Sequence, residues 1–443
     1  MRPGLIVASL LGAATLLACR EEAQHPTPPP VVPPTNAPAD VRHPHRGAGE
    51  RGRPGAMTPG GASVREEGGD FRMAVPTIAQ GTGYVLFAYD VAHAIDLAAA
   101  ERRLASATER LAVKQKRRAP AFFEYDPAPL RVTDAAEPLA VGEGGPQTAP
   151  FVEFVLYDFG AVSVSYGIPL HGPLTGLPAL SAALYGHELL QADSRRRVQQ
   201  LVETLGEAAI RSRLAHFVED YVVFQIEAFT EPVEAAVLWA EHAQTVAQVL
   251  RAESRTLSQQ EVSDALESRL SFGLNDATLI DTDVTLLFDT EGEDVRAVIE
   301  FANTQLLEMR FLDSQLDEAL ERAYDLLGQW RGTRRYLPSA YGPALRRLGR
   351  LQLEAAVLFE QVTNALKLIG EQYLTRVYGL VSRRFHLAEW DVSISRKLQT
   401  LDGIYGKMAD RAASLRMELL EWIIILLIAV SIALPFFSGL VAK

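Results

Sequence analysis

The chain has 443 residues, 48% of them hydrophobic and 22% charged, and a formal net charge of −12 at pH 7. This balance excludes a chain that is disordered throughout, and the negative charge argues against a protein whose whole surface binds nucleic acid, because phosphate binding depends on Lys and Arg. The single cysteine, Cys19, excludes an intrachain disulfide, a cysteine zinc site and an iron–sulfur cluster.

The N-terminus combines a short apolar run with that cysteine. The run from Leu5 to Ala18 is too short to span a bilayer comfortably and has the length of a signal-peptide core. Because the lipobox-like sequence LLAC follows, residues 1–19 are predicted to be a signal-like segment, with Cys19 as a candidate for lipidation. Residues 20–75 are crowded with proline and glycine and predict a disordered linker. Translation from a later methionine would remove the signal and much of the linker.

Residues 76–290 are predicted to form an α+β head domain. Its first strand is 84–92, rich in aromatic and β-branched residues, and a helix follows it. A hairpin bends at Gly160, further helices follow, and the apolar segment 217–229 is the next strong strand. Strand–helix–strand–strand–helix–strand is the order of a ferredoxin-like sandwich, so that fold is expected for the head.

Beyond the head, apolar residues recur every three or four positions. The pattern predicts long helices over 293–330, 345–380 and 387–415, each packing along one stripe. We expect a coiled-coil-like stalk over 291–417, through which the chain forms a homo-oligomer. The second and third helices either form one rod or fold back; neither glycine nor proline lies at their join, although Arg384 falls on the stripe.

The last stretch of the chain is apolar. From Trp422 to Ala442 no residue is charged, and a helix of that length covers about 30 Å, the thickness of a bilayer core. Residues 418–443 are therefore predicted to be a C-terminal transmembrane helix. Its candidate anchoring residues are Trp422, Ile424, Leu427, Val430, Leu434 and Phe437.

The two ends predict opposite locations for the body of the protein. Lys407, Arg411 and Arg416 precede the anchor and only Lys443 follows it, a bias that keeps the body in the cytoplasm. A cleaved lipobox would instead export the body and anchor it at Cys19. On these residues alone, a single-pass membrane protein with a cytoplasmic body and an exported lipoprotein both stay open.

Two stretches of the back half resemble a known family. They are FANTQLLEMRFLDSQLDEALERAYDLL and RFHLAEWDVSISRKLQTLDGIYGKMADRAASLRMELLEWIIILLI, and VLYDFGAVSVSYG in the front half is similar as well. The family, often called the YagE family, includes fungal sporulation proteins required for meiotic nuclear division and a mitochondrial inner-membrane homologue. The resemblance implies a homo-oligomeric scaffold whose body faces the cytosol or matrix, with a C-terminal membrane segment and no established reaction. It therefore favours a single-pass membrane protein with a cytoplasmic body, and the exported lipoprotein is the alternative.

Motifs that carry chemistry are missing from the sequence. Asp158-Phe159-Gly160 matches the metal-binding triplet of kinases in letters only, since neither a glycine-rich loop nor His-Arg-Asp accompanies it. There is no phosphate-binding loop and no dinucleotide fingerprint. His187-Glu188 lacks the second histidine of a zinc motif. No catalytic residue, cofactor or metal site is therefore predicted.

Two groups of polar residues are candidate contact sites. One is an interaction face on the first long helix, where Arg310 and Asp313 are three apart and can pair; an ordinary solvated face is the alternative. The other is a patch for anionic lipid or RNA, with a solvated turn as the alternative. The face consists of Asn303, Gln305, Glu308, Arg310, Asp313 and Asp317, and the patch consists of Arg331, Arg334, Arg335, Arg346, Arg347 and Arg350.

Together these features predict a non-catalytic, membrane-anchored, self-associating scaffold. One alternative is a translation- or ribosome-linked factor that contacts RNA through the arginine patch. The other is an enzyme with a pocket between head and stalk, which would use acids that border strands, such as Asp220 or Asp283.

Overall fold

The computed structural model describes residues 75–104, 107–110, 127–142, 144–329, 346–347, 349–350, 353 and 372–441. The predicted segment 1–19 and almost all of 20–75 lie outside these residues, as do Cys19, Arg331, Arg334 and Arg335. In the described residues the chain is a mixed α/β structure, in which one large sheet carries helices on both faces.

The first half of the described chain is rich in strands. Its elements are β1 (Thr77–Asp90), β2 (Ala94–Ile95), α1 (Leu97–Arg103), β3 (Ala107–Arg110), β4 (Leu130–Ala135), β5 (Phe151–Leu156), β6 (Ala161–Pro169), β7 (Gly172–Pro173), α2 (Leu177–Leu184), α3 (Glu188–Leu205), β8 (Ala209–Ile210) and β9 (Glu219–Phe229). Short 3-10 turns precede α2 and follow α3.

The second half starts with short elements and ends with long helices. Its elements are α4 (Ala235–Glu241), α5 (Ala243–Leu250), α6 (Gln259–Ala265), β10 (Arg269–Leu270), β11 (Ala277–Ile280), β12 (Val284–Phe288), α7 (Glu293–Gln329), α8 (Gln372–Arg384) and α9 (Leu387–Val441). Helix α7 matches the first predicted long helix closely, because the regular apolar spacing of that segment is a strong local signal.

In the residues that the structure describes, the large sheet has ten strands: nine in the order β10-β11-β12-β9-β1-β6-β5-β4-β3, and β7 paired to the start of β1. All of its neighbouring strands are antiparallel except β12 and β9, which are parallel. Strands β2 and β8 form a separate two-stranded ladder. The predicted ferredoxin-like α+β head with a stalk is therefore wrong as a fold class, because additional strands on both sides make a wide mixed sheet and the long helices pack on it.

The central strand β1 shows why the sheet carries helices on both faces. Side chains alternate between the two faces along a strand, and in β1 both sets are apolar. Val85 and Phe87 lie in a core with α2, α3 and α5, whereas Leu86 lies in a second core with α7, α8 and α9. A strand that is buried on both faces has a nearly continuous apolar sequence, as this one does.

The three long helices pack on each other as well as on the sheet. Leu316 of α7, Val381 of α8 and Leu401 of α9 are fully buried in the same core. Helices α8 and α9 are not one rod, because the chain turns between them at His386, which has a φ of 54°. This turn lets Phe385 pack edge-to-face on Tyr221 of β9, with ring centroids 5.2 Å apart.

Replacing Leu401 with alanine is expected to lower the free energy of unfolding by about 3 kcal/mol, because a truncated buried leucine leaves a cavity. Val392→Ala on the same helix is the matched control: Val392 is 56% exposed, so the change should stay within about 0.5 kcal/mol. Urea unfolding of both variants measures the difference. Equal effects would mean that α9 does not pack on α7 in solution.

The far end of α9 differs from its beginning. Beyond Met408, every side chain of α9 that the structure describes is exposed. Four of the predicted anchoring residues belong to this set, namely Trp422, Ile424, Leu427 and Val430. The side chains of Leu434 and Phe437 lie outside the described residues.

The C-terminal transmembrane helix predicted over 418–443 is wrong. In the part of the chain that the structure describes, no helix combines the length and the apolarity that crossing a membrane requires. The single-pass location and the membrane partner inferred from that helix are corrected with it.

Candidate functional site

Strand ends bring acidic residues to one edge of the large sheet. Strands β1 and β9 run antiparallel with Ala88 opposite Glu219, so β9 begins where β1 ends. Strand β12 starts beside β9 in parallel, with Val284 opposite Val222, and the β11–β12 turn therefore lies at the same edge. We call this edge the strand-end junction; its charged residues are Asp90, Arg213, Glu219, Asp220, Arg251, Asp281, Asp283, Arg310 and Arg384.

Asp281 is at the centre of the strand-end junction. Its buried carboxylate accepts hydrogen bonds from Nε of Arg384 at 2.8 Å, from Nη1 of Arg251 at 3.2 Å and from the backbone N–H of Thr282 at 2.7 Å. Arg251 directly follows α5 on one face of the sheet, and Arg384 ends α8 on the other face. One carboxylate therefore ties helices on opposite faces to the same turn.

Glu219 is the buried acid at the start of β9. It pairs with Arg310 of α7, and the side-chain amide of Asn303 on the same helix donates to its backbone carbonyl at 3.3 Å. Burial is the main cause that raises the pKa of Glu219 to about 7; Arg310 lowers it, and the carboxylates of Asp220 and Asp283 raise it further. This carboxyl group therefore exchanges its proton close to neutral pH.

A second acid–arginine pair links β1 to α7. Asp90 is 1% exposed, and its Oδ2 lies 2.9 Å from Nη2 of Arg213. The guanidinium of Arg213 in turn lies 4.7 Å from the ring centroid of Phe311 on α7, a cation–π contact. Asp283 lies at the rim of the strand-end junction. Its pKa is raised mainly by partial burial, and to a smaller extent by the charges of Asp220 and Asp281.

Polar residues also hold the first turns of α7 on the sheet. Glu300 is buried, and burial raises its pKa, opposed by Arg296 and by the Ser163 hydroxyl of β6. Arg296 pairs with Glu153 of β5 at 3.4 Å, and its guanidinium lies 4.2 Å from the ring centroid of Tyr84. These polar contacts add to the apolar contacts that Val295, Ile299 and Ala302 of α7 make in the second core.

Three residues of the predicted interaction face, Asn303, Gln305 and Glu308, are buried or half-buried within the protein. Asn303 is buried against β9, and Gln305 is buried and accepts a hydrogen bond from the Tyr378 hydroxyl of α8 at 2.7 Å. Glu308 is half-buried. The first two residues therefore position α7 between the sheet and α8.

The other three residues of that face form ion pairs within the chain. Arg310 pairs with Glu219 and not with Asp313. Asp313 and Asp317 both pair with Lys397 of α9, at 2.8 and 2.6 Å. These residues hold α7 on the sheet and on α9; a contact with another molecule through them stays a prediction.

The arginine patch is described in part. Arg346, Arg347 and Arg350 are exposed, and Nη2 of Arg347 lies 3.7 Å from the carboxylate of Glu318 on α7. The anion contact proposed for this patch stays a prediction.

The acids of the strand-end junction differ in exposure and in pairing. Asp220 and Asp283, the acids suggested for an enzyme, are exposed at the rim of the strand-end junction. The buried acids Asp90, Glu219 and Asp281 are each paired with an arginine. Within the described ranges, no group of three or more His, Cys, Asp or Glu side chains could hold a metal ion.

Sequence reasoning named Asp220, Asp283 and Arg310 but missed the buried acids of the strand-end junction and their grouping, although three signals for it are local. Glu219 and Asp220 open a strong strand, the Asp-Thr-Asp sequence at 281–283 follows another, and Arg384 interrupts an apolar stripe. The pairing itself is not local, since Arg384 and Asp281 are 103 positions apart.

Comparisons with known proteins match the part of the chain that contains these acids. Residues 80–294 match the family model described as "Uncharacterized protein MJ0711, N-terminal domain". The uncharacterized protein MJ0711 of Methanocaldococcus jannaschii is 23% identical over 221 residues, which cover 49% of this chain and 66% of that protein. The alignment thus spans just under two thirds of the relative's length. No solved structure matches the chain.

The comparisons correct the family expected from the sequence. The matched family model is that of an uncharacterized archaeal protein, so the resemblance to the YagE family and its meiotic sporulation proteins is wrong. The similarity is to proteins of unknown function.

Proposed function

We propose that this chain is a non-catalytic scaffold, a rigid α/β body that holds helix α9 and presents its end to a partner protein. The observation that carries the proposal is the exposed apolar end of α9. Between Met417 and Ile432 its exposed large hydrophobic side chains have 44–71% of their surface open to solvent. Exposed apolar surface of this extent is typical of a contact site, because its exposure to water is unfavourable.

The attachment of α9 to the body supports this role. Ile394, Leu401 and Tyr405 of α9 are buried in the core that α7 and α8 share with the sheet. Asp281 fixes Arg384 at the end of α8, immediately before the turn into α9. The exposed end of α9 therefore extends from a fixed base, as a scaffold requires.

The apolar surface also indicates the kind of partner. Side chains at successive positions such as Trp422, Ile423, Ile424 and Ile425 point to different sides of a helix, and all four are exposed. A helix of this kind fits a groove that encloses it, as in helix-in-groove recognition. The partner is therefore expected to be a protein with an apolar groove.

Photo-crosslinking in the cells that make the protein tests this function. A photoreactive phenylalanine analogue is placed at position 422 or 427 of the full chain, and at the control position Leu189, which is 70% exposed on α3. We expect one discrete adduct with a different protein from both α9 positions and none from position 189. No adduct from α9, the same adduct from position 189, or an adduct that contains only this chain would overturn the proposal.

A further inference from the structure

The buried acid Glu219 lies among charges that do not balance it well. It is 6% exposed, whereas the side chain of its partner Arg310 is 44% exposed. Solvent screens a half-exposed guanidinium, so its attraction for the carboxylate is weakened. Asp220 adjoins Glu219 on β9, and Asp283 approaches from the β11–β12 turn. The ionised form of Glu219 is therefore poorly supported where it is buried.

Every element that meets at this edge contributes charge. The groups are Asp220 on β9, Asp90 on β1 with Arg213, Asp281 and Asp283 on the β11–β12 turn, Arg251 after α5, Arg310 on α7 and Arg384 on α8. Arg213 neutralises Asp90, and two arginines share Asp281. Asp220 and Asp283 are thus the carboxylates that raise the cost of ionising Glu219.

We propose that Glu219 is a proton-binding switch at the contact between β9 and α7: the folded chain is most stable with the proton bound, and its release loosens the packing around Glu219, because the half-exposed Arg310 compensates the buried charge incompletely. A protonated carboxyl group carries no charge, so burying it costs much less free energy than burying the carboxylate. The carboxylate depends on Arg310 and is repelled by Asp220 and Asp283. The switch is a property of the body and does not depend on a partner at the end of α9.

The direction of the pH effect follows from proton binding. The pKa of Glu219 is raised from its ordinary 4.5 to about 7 in the folded chain, so the folded state holds the proton more tightly than the unfolded state does. Stability contributed by this group is therefore highest at low pH. It falls as the pH rises from about 4.5 through 7 and is constant well above that range.

Urea unfolding of the full chain between pH 5 and pH 9 tests the switch. Glu219→Gln carries no charge at any pH, so its stability relative to the natural chain should increase as the pH rises. The ratio of the two unfolding equilibrium constants is expected to change on the order of 100-fold over this range. Glu203→Gln, at an exposed position on α3, should show no such change. Parallel pH curves for Glu219→Gln and the natural chain would overturn the proposal.

Two further variants test the switch without changing Glu219. Arg310→Gln removes the charge that lowers the pKa of Glu219. The midpoint pH of the loosening that follows proton release should therefore move up. Asp283→Asn removes a charge that raises this pKa, so it should move down. Amide hydrogen exchange at the start of β9 and in α7 measures the loosening, with variants compared at the same pH. Shifts in one direction, or no shift, would contradict the switch while leaving the crosslinking result unaffected.

Discussion

Replacing Asp281 with asparagine is expected to lower the free energy of unfolding by about 4 kcal/mol. Removing one partner of a buried ion pair leaves the other charge without compensation, and here a single carboxylate serves two guanidiniums. Arg251 keeps a second ion pair with Glu261 at 3.3 Å, so the loss falls mainly on Arg384. Arg251 and Arg384 are only 26% and 22% exposed, so water cannot fully replace the lost contact. Urea unfolding monitored by tryptophan fluorescence measures the loss.

Asp283→Asn is the matched control for this variant, because it makes the same chemical change two residues away in the same turn. Asp283 lies at the surface, and its pKa is raised by partial burial and by neighbouring acids, so removing its charge should not destabilise the protein. If the two variants lost the same stability, Asp281 would not be the residue that ties α5 and α8 to the turn.

Replacing Gly160 with alanine is expected to cost about 4 kcal/mol. Gly160 has a φ of 104°, and a Cβ at this position would lie 2.0 Å from the backbone oxygen of Ala92. The β5–β6 turn cannot move away easily, because the Gly160 carbonyl accepts hydrogen bonds from the backbone of Val91 at 2.9 Å and of Ala92 at 3.1 Å. Both the backbone strain and the clash therefore act together.

Gly172→Ala separates these two causes. Gly172 has nearly the same φ, 102°, but a methyl group added there would have nothing within 4 Å of it. Its cost should be that of the backbone conformation alone, about 1–2 kcal/mol. Thermal and urea unfolding of the two variants give the difference, and a Gly172→Ala loss as large as that of Gly160→Ala would show that the Ala92 clash is not important.

Local patterns in the sequence were enough to predict several elements. The Asp158-Phe159-Gly160 turn forms a β5–β6 hairpin, as its turn residues indicate, and the apolar stripe from residue 293 forms α7. The strong strand signal at 217–229 corresponds to β9. These predictions succeed because turn chemistry and side-chain spacing act over a few residues.

The sheet and the strand-end junction could not be predicted in the same way. The parallel pairing of β12 with β9 joins segments that are separated by three helices and two strands. The Arg251 and Arg384 contacts reach Asp281 from 30 and 103 positions away. Nothing in the local sequence of an acid specifies which distant arginine will meet it, so the role of Asp281 could not be predicted.

The error in the family assignment has a similar origin. Apolar residues spaced three or four apart occur in any helix that packs along one side, so the long helical stretches that carried the resemblance were weakly specific. The match found by comparison instead covers residues 80–294, which contain the sheet. The similarity found by comparison therefore lies in the strand-rich part of the chain and not in the long helices.

The central position of β1 affects how the protein folds while it is synthesised on the ribosome. Leu86 of β1 pairs with Ser165 on one side and with Tyr221 on the other. The second neighbour is synthesised roughly 130 residues after the first strand, a delay on the order of ten seconds at ordinary translation rates. During that interval the nascent chain displays an unpaired apolar edge, which is the kind of surface that chaperones cover and that causes aggregation when they do not. In the folded protein β9 pairs with that edge. The risk of aggregation through β1 is therefore confined to the time of synthesis and folding.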